Sequence, residues 1–399
     1  MAEQATQAKP LQGVKIVELS SVVTAALAAT IMSEQGATTV KVEPPGIGDL
    51  LRHLGCGREG VGAIFANCNR GKRSIAVDLK TPEGVEIVRK LAAEADVLIS
   101  NYRPGVLERL GLGSETLRAA NPRLIYVAIS GFGTEGPLSS APAYDHVIQA
   151  LCGFTDVQGP GEQMEAVKTF VCDEVTAYTA CQATTAALYQ RSATGQGQHI
   201  DVSMLDAAIY FLWPGAMAEQ TFRGEGVYWR PSLKMSYRTY PTRDGYVTIA
   251  PMTEAHWQGL FAGSGRQDLA EDPRFATMEA RLGNFEIFIE EFQLAFAELT
   301  TAQVEAMLLQ YDVPGGRCLE VGEVADHPQV QATGAVGERS HPLLGDMRVP
   351  AHPAKFGGAR VSTPDCLGAL GEHGAEVLQD LGYSADEVDD LRDRGILGT

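Results

Sequence analysis

Long uncharged apolar runs are missing from this sequence. No stretch approaches the ~18 residues that mark a membrane-spanning helix. The first residues, MAEQATQAKPLQG, lack the apolar core of a secretory signal. The expectation is therefore a soluble, cytoplasmic protein. Basic residues are also in deficit: 32 Lys and Arg stand against 50 Asp and Glu, a formal net charge of −18. A polyanion such as nucleic acid is repelled by such an average surface. A small anionic ligand is left only where basic side chains cluster locally. Cysteine pairs at metal or redox spacing are absent too. The seven cysteines, Cys56, Cys68, Cys152, Cys172, Cys181, Cys318 and Cys366, are odd in number and include no C-x-x-C. That disfavours zinc and a disulfide framework and points to buried thiols. Cys172 adjoins an acidic pair, but no His neighbours it in sequence to act as its base. Finally, no G-x-G-x-x-G follows the first predicted strand, where the turn reads SSVVTAALAAT; dinucleotide binding is set aside.

What is present is ample core-forming material. The chain has 399 residues, 45% of them hydrophobic, enough for two or three domains. Apolar, β-branched runs at 13–20, 37–43, 74–79, 96–102, 124–130 and 199–205 predict strands. Helical spacing lies between them. VVTAALAATIMSEQG closes on Gly36 at a C-cap position, and TPEGVEIVRKLAAEA opens on Thr81 and Pro82, with Gly84 a local weakness. Alternating strands and helices predict an α/β fold with a largely parallel sheet. The composition shifts after about residue 222. RTYPTRDGYVTIAP (238–251) predicts strand–turn–strand around Asp244-Gly245, followed by helical segments that include FEIFIEEFQLAFAEL and TAQVEAMLLQY. VPAHPAKFGG (349–358) reads as loop, and the C-terminal segment as two short acidic helices.

Four segments carry possible chemistry. NRGKRSIAVDLK (69–80) sets Arg70, Lys72, Arg73 and Lys80 against the single acid Asp78. It reads either as a solvated loop or as a phosphate site. NYRPGVLERLG (101–111) begins at a predicted strand end, the edge where open parallel sheets bind ligands. Arg103 and Arg109 there could meet the same anion. ISGFGTEGPLSSAPAYDHVIQALCG (129–153) holds a glycine-rich loop and a helix beginning near Tyr144-Asp145. Tyr144 is either a core aromatic or a ligand contact, and His146 either a base or a structural histidine. In VCDEVTAYTACQATTAAL (171–188), Asp173 suits an N-cap with Glu174 in the first turn. Ala177, Ala180, Cys181, Thr184 and Leu188 follow as one mostly small stripe. Asp173 is then either a structural cap or a reactive carboxylate kept ionised by the helix dipole, beside free N–H groups able to stabilise an oxyanion.

Taken in order, LQGVKIVELS, GATTVKVEPP, NCNRGKRSIAVDLKTPEG, NYRPGVLERLGL, ISGFGTEGP, PAYDHVIQA and TGQGQHIDVSMLDA resemble the family III CoA-transferases. YDVPGGRCLEVGEVADHPQV and LGEHGAEVLQDLG extend the likeness over nearly the whole chain. The resemblance implies a Rossmann-like large domain formed by residues 1–222 and 331–399, a smaller α+β domain inserted at 223–330, and an interlocked homodimer. It implies CoA, brought as acyl-CoA, and a small carboxylic acid as partners, with no metal, nucleic acid or membrane. Asp173 occupies the family's nucleophile position. Val23 and Thr24 match the turn near the pantetheine arm, and Val77, Asp78, Leu79 and Lys80 the strand that meets adenine and ribose. Asn101, Tyr102, Arg103 and Arg109 match the next strand end, and Tyr144 and Asp145 the segment leading to the thioester. Thr24-Ala25-Ala26 replaces the common Ala-Gly-Pro, Val23 stands for a glutamine and Pro44 for an arginine of formyl-CoA transferase, and no glycine-rich loop is found at 225–330. These departures point away from formate and oxalate. A related acyl-CoA racemase, which needs His-Asp where this chain has Tyr144-Asp145, and a non-catalytic acyl-CoA-binding homologue are the alternatives.

Overall fold

The structure, a computed structural model, describes residues 9–159, 163–228 and 236–398. The chain divides into two compact units, residues 1–211 with 331–399, and residues 212–330.

The first unit is a mixed α/β fold around a largely parallel sheet. Its strands are β1 (Lys15–Leu19), β2 (Thr38–Glu43), β3 (Lys72–Val77), β4 (Val97–Ser100), β5 (Ile125–Ser130) and β6 (His199–Ser203). The register is parallel throughout, with Val17 opposite Val40 and Leu98. The final strand of the chain, Leu397–Gly398, adds antiparallel to β3 and pairs Leu397 with Val77. The sheet order is final strand-β3-β2-β1-β4-β5-β6. From β1 the order runs one way to β2 and β3 and the other way to β4 and β5. The crevice beyond the carboxyl ends of β1 and β4 is thus a topological switch point, the place where open α/β sheets bind ligands.

Three helices position that crevice. The first, α1 (Thr24–Glu34), buries mostly Ala, Thr and Ser, with Met32 and Glu34 near its end. The second, α4 (Asp145–Cys152), opens directly after Tyr144, as expected. The third, α5 (Val171–Thr194), buries Ala177, Ala180, Cys181 and Thr184, while Leu188 is only partly covered. Small side chains on both partners let α1 and α5 lie against one another. Two further helices, α2 (Pro82–Glu94) and α3 (Val106–Arg109), follow β3 and β4. At the start of α2 the Thr81 hydroxyl accepts the Gly84 N–H, as its position predicts. Gly84 itself is a requirement and not a weakness: an added Cβ would overlap the Asp78 carbonyl oxygen.

The strands are not wholly apolar. Glu18, Lys41, Glu43, Asp49, Arg52 and Lys72 are all buried. Lys41 bridges Glu18 at 2.7 Å and Asp49 at 2.8 Å, Lys72 meets Glu18 at 2.7 Å, and Arg52 meets Glu43 at 2.8 Å. Three acids face three bases, so the cluster is neutral. Burial alone would raise the Glu18 carboxyl, yet the two lysines hold it down at about 2.

The second unit has a three-stranded antiparallel sheet formed by Tyr240–Thr242, Gly245–Ile249 and Gly315–Arg317. The first two are joined by a tight turn at Asp244, with Gly245 already in the strand. The helix Phe285–Ala297 sends Phe288, Phe292 and Phe296 into one core at successive turns, with ring centroids 4.7 and 5.6 Å apart. In the first unit, the stretch read as loop at 349–358 instead holds the end of a strand, Gly345–Pro350, and the first strand of a short hairpin, Lys355–Phe356 paired with Ala359–Arg360. The two acidic C-terminal helices form at Gly374–Asp380 and Ala385–Asp393.

Candidate active site

A cavity of about 670 Å³ opens beyond the carboxyl ends of β1, β4 and β5. Each neighbouring loop supplies a wall. Ser21, Val22 and Thr24 come from the turn after β1, and Tyr102, Arg103 and Arg109 from the segment after β4. The loop after β5 adds Gly131, Thr134 and Tyr144. Gly131 lets that loop fold on itself, since a Cβ there would overlap the Ala143 side chain.

Asp173 is the acid on this wall, only 6% exposed. The helix begins three residues earlier than expected, at Val171, and Phe170 offers no side-chain cap. Asp173 is therefore inside the first turn and not the cap. The cap comes from another helix. Asp145 Oδ2 accepts the Cys172 N–H at 2.7 Å and the Asp173 N–H at 3.0 Å. Asp145 is in turn held through Oδ1 by Gln149 Nε2 at 2.5 Å. Gln149 also ties down Val167 and Thr169, the approach to α5.

Two expectations fail here. The N–H groups of Cys172 and Asp173 are occupied by Asp145 and are not free oxyanion donors. Nor does the helix start keep Asp173 strongly acidic. Burial, then the charges of Asp145 and Glu174, push its carboxyl up to about 7. Removing solvent and adding two like charges outweighs the dipole of the first turn. Its carboxylate has no hydrogen-bond partner among the described residues. Cys172 is no rival nucleophile: its fully buried thiol is pushed upward by its hydrogen bond to Cys152 and by burial.

Arg103 and Arg109 face the same cavity, and neither has a carboxylate partner among the described residues. In a protein of net charge −18, these are two exposed guanidinium groups on one wall whose charge no carboxylate among the described residues offsets. Among the described residues, no group of three or more His, Cys, Asp or Glu is placed to hold a metal ion.

A family model described as CoA-transferase family III matches residues 11–378. This chain belongs to that family. It is 31% identical over 395 residues to succinyl-CoA:glutarate CoA-transferase from Mus musculus, covering 98% of this chain and 90% of the relative. It is 31% identical to succinyl-CoA–D-citramalate CoA-transferase from Chloroflexus aurantiacus, covering 98% of both. A crystal structure of a CAIB/BAIF family protein from Brucella suis superposes with a TM-score of 0.82 at 33% identity, covering 94% of this chain and all of that one. The protein is thus a CoA-transferase, and its chemistry is the movement of CoA between an acyl-CoA and a carboxylic acid.

The cavity of this transferase gathers only some of the residues expected to bind CoA. Thr24, Asn101, Tyr102, Arg103, Arg109 and Tyr144 line it. Tyr144 is 56% exposed, which removes the core reading of that ring. Val23 is buried behind the turn, and Val22 takes the wall position. Asp145 is buried off the wall as the cap of α5. Val77, Asp78, Leu79 and Lys80 stand outside the cavity at the end of β3, on the same sheet edge. Val77 is core, Leu79 packs on it, and Asp78 accepts the Lys80 N–H.

The phosphate reading of the first basic segment fails for three of its four cations, Lys80 excepted. Lys72 is wholly buried on Glu18, Arg70 pairs with Glu34 at 2.8 Å, and Arg73 with Asp380 at 2.8 Å. His146 is exposed and absent from the cavity wall, as helix geometry predicts for a residue two places from Tyr144. Ser21 and Val22 were missed. Val22 adopts φ +69°, a left-handed conformation that a β-branched residue disfavours, and nothing in the local sequence signals it.

Proposed function

We propose that this transferase works through a covalent link on Asp173. The carboxylate attacks the carbonyl carbon of the donor thioester, and the tetrahedral intermediate expels CoA thiolate to leave a mixed anhydride. The thiolate then attacks the Asp173 carbonyl. The donor acid departs as its carboxylate, and an aspartyl-CoA thioester remains. The acceptor carboxylate repeats both steps in reverse, taking CoA away and restoring Asp173. Once Asp173 is ionised no external oxidant, metal or base is required, because each nucleophile is then an anion.

The observation that carries this reading is one buried carboxylate on the wall of a cavity that also presents two unpaired arginines. Arg103 and Arg109 suit the phosphates of CoA, with Thr24, Asn101, Tyr102 and Tyr144 along its path. Val77, Asp78, Leu79 and Lys80, on the same sheet edge, suit its adenosine end. Val23 and Asp145 act from behind the wall. The relatives named for succinyl-CoA support a dicarboxylic donor or acceptor.

For the assembly we propose a cytoplasmic homodimer, with residues 223–330 as a separate domain of each chain. Large exposed side chains on the first unit support an association surface: Tyr178 and Tyr189 on α5, with Tyr210 and Phe211 further along. Among the described residues no helix is long and apolar enough to cross a membrane.

The test is chemical trapping. Incubation with succinyl-CoA followed by hydroxylamine should convert Asp173 to a hydroxamate seen by peptide mass spectrometry. An Asp173→Ala enzyme that keeps the wild-type rate refutes the mechanism.

A further inference from the structure

The turn after β1 is held in a conformation its own residue resists. Val22 sits at φ +69°, where its Cβ and branched side chain crowd the backbone. Such a conformation persists only when its surroundings over-determine it. Here two buried or half-buried side chains do so from opposite flanks. On one flank Asn101, at the end of β4, accepts the Ser21 N–H at 3.1 Å and donates to the Ser21 carbonyl at 2.6 Å and to Thr24 Oγ1 at 3.0 Å. On the other, Asp49 Oδ1 accepts the Val22 N–H at 3.1 Å and the Ser21 hydroxyl at 3.3 Å. Asp49 is itself anchored by Lys41, 2.8 Å from its Oδ2, and so by the neutral charge cluster beneath the sheet edge.

Asn101 has no donor to spare. A carboxamide carries two N–H bonds, and both are committed to the turn. It lines the cavity, yet it cannot donate to a ligand without releasing Ser21 or Thr24.

We propose that Asn101 and Asp49 are positioning residues of the transferase: they clamp the Ser21–Val22 turn in its left-handed form, so that Val22 and Thr24 face the cavity that Asp173 lines. The proposal rests on that cavity being the reaction site, as proposed above. The buried charge cluster then has a role beyond stability. It fixes Asp49, the side chain that accepts the Val22 N–H.

A double-mutant cycle on kcat/KM tests the clamp. Asn101→Ala should lower kcat/KM about five- to thirty-fold, the population lost when a valine is left in the left-handed region without its restraint. In the Val22→Gly background the same Asn101→Ala change should cost no more than about twofold, because glycine takes positive φ freely. Equal losses in both backgrounds would overturn the clamp and assign Asn101 to direct substrate contact. Asn101→Ser, a smaller perturbation, runs the same cycle if the alanine variant does not fold. Hydroxylamine trapping at Asp173 is measured alongside. Asn101→Ala at the wild-type rate with Asp173→Ala inactive sinks the clamp alone, whereas both at the wild-type rate sink the site itself.

Discussion

Asp173→Asn should make the protein more stable at neutral pH while abolishing turnover. The wild-type carboxyl is buried beside Asp145 and Glu174, and its pKa moves from 3.8 to about 7. Each unit corresponds to about 1.4 kcal/mol, so ionising this group in the folded protein costs on the order of 4 kcal/mol, an upper bound because a buried site relaxes on charging. Below about pH 4 the group is protonated in both states and costs nothing. Between about 4 and 7 the unfolded chain has lost the proton while the folded chain keeps it, so stability falls as pH rises. Above 7 the full penalty is present. The asparagine is nearly isosteric, never ionises, and loses no hydrogen bond made by the wild-type carboxylate among the described residues. Its advantage should therefore be largest at pH 8, with a gain of up to ~4 kcal/mol, shrink through pH 6, and vanish near pH 4. Urea unfolding of the two proteins at pH 8, 6 and 4, followed by hydrogen exchange in α5, measures this locally without assuming that the two units unfold together. An asparagine variant no more stable than wild type at pH 8, or one whose gain is the same at all three pH values, would show that Asp173 is not held against its own ionisation.

Three further outcomes concern the same site. If the reacting form is the carboxylate, kcat/KM should rise roughly tenfold per pH unit below about 7 and level off above it; Asp145→Asn should move that midpoint down yet leave it above 3.8, since burial is the larger cause. Arg109→Ala should raise KM for acyl-CoA roughly ten- to a hundred-fold, the worth of one charge-assisted contact to phosphate, with kcat little changed and a weaker dependence of KM on salt; an unchanged KM would remove Arg109 from CoA binding.

The strands of the large sheet were readable from short β-branched runs, because a strand buried on both faces is rich in apolar residues even where, as at Glu18 and Lys41, it also carries buried ion pairs. Thr81 and Pro82 at the start of α2 were equally readable, since a cap and its helix are neighbours in the chain. The start of α5 was not, because its cap is Asp145, 28 residues away. The basic segment at 69–80 misled for a similar reason. Arg70, Lys72 and Arg73 lack acids near them in sequence, but Glu34, Glu18 and Asp380 reach them in space. Arg103 and Arg109 carried no stronger local signal, yet they line the cavity and neither has a carboxylate partner among the described residues.

The sequence by itself determined the alternation of strands and helices and the small-residue face of α5. These depend on spacing along the covalent chain. Only the tertiary structure decided which charges are spent in the core, which remain open to a ligand, that Asp173 resists ionisation and that Val22 is held in a strained turn. Coulomb energies, desolvation and hydrogen-bond restraint depend on distance through space and on the exclusion of water, and packing sets both.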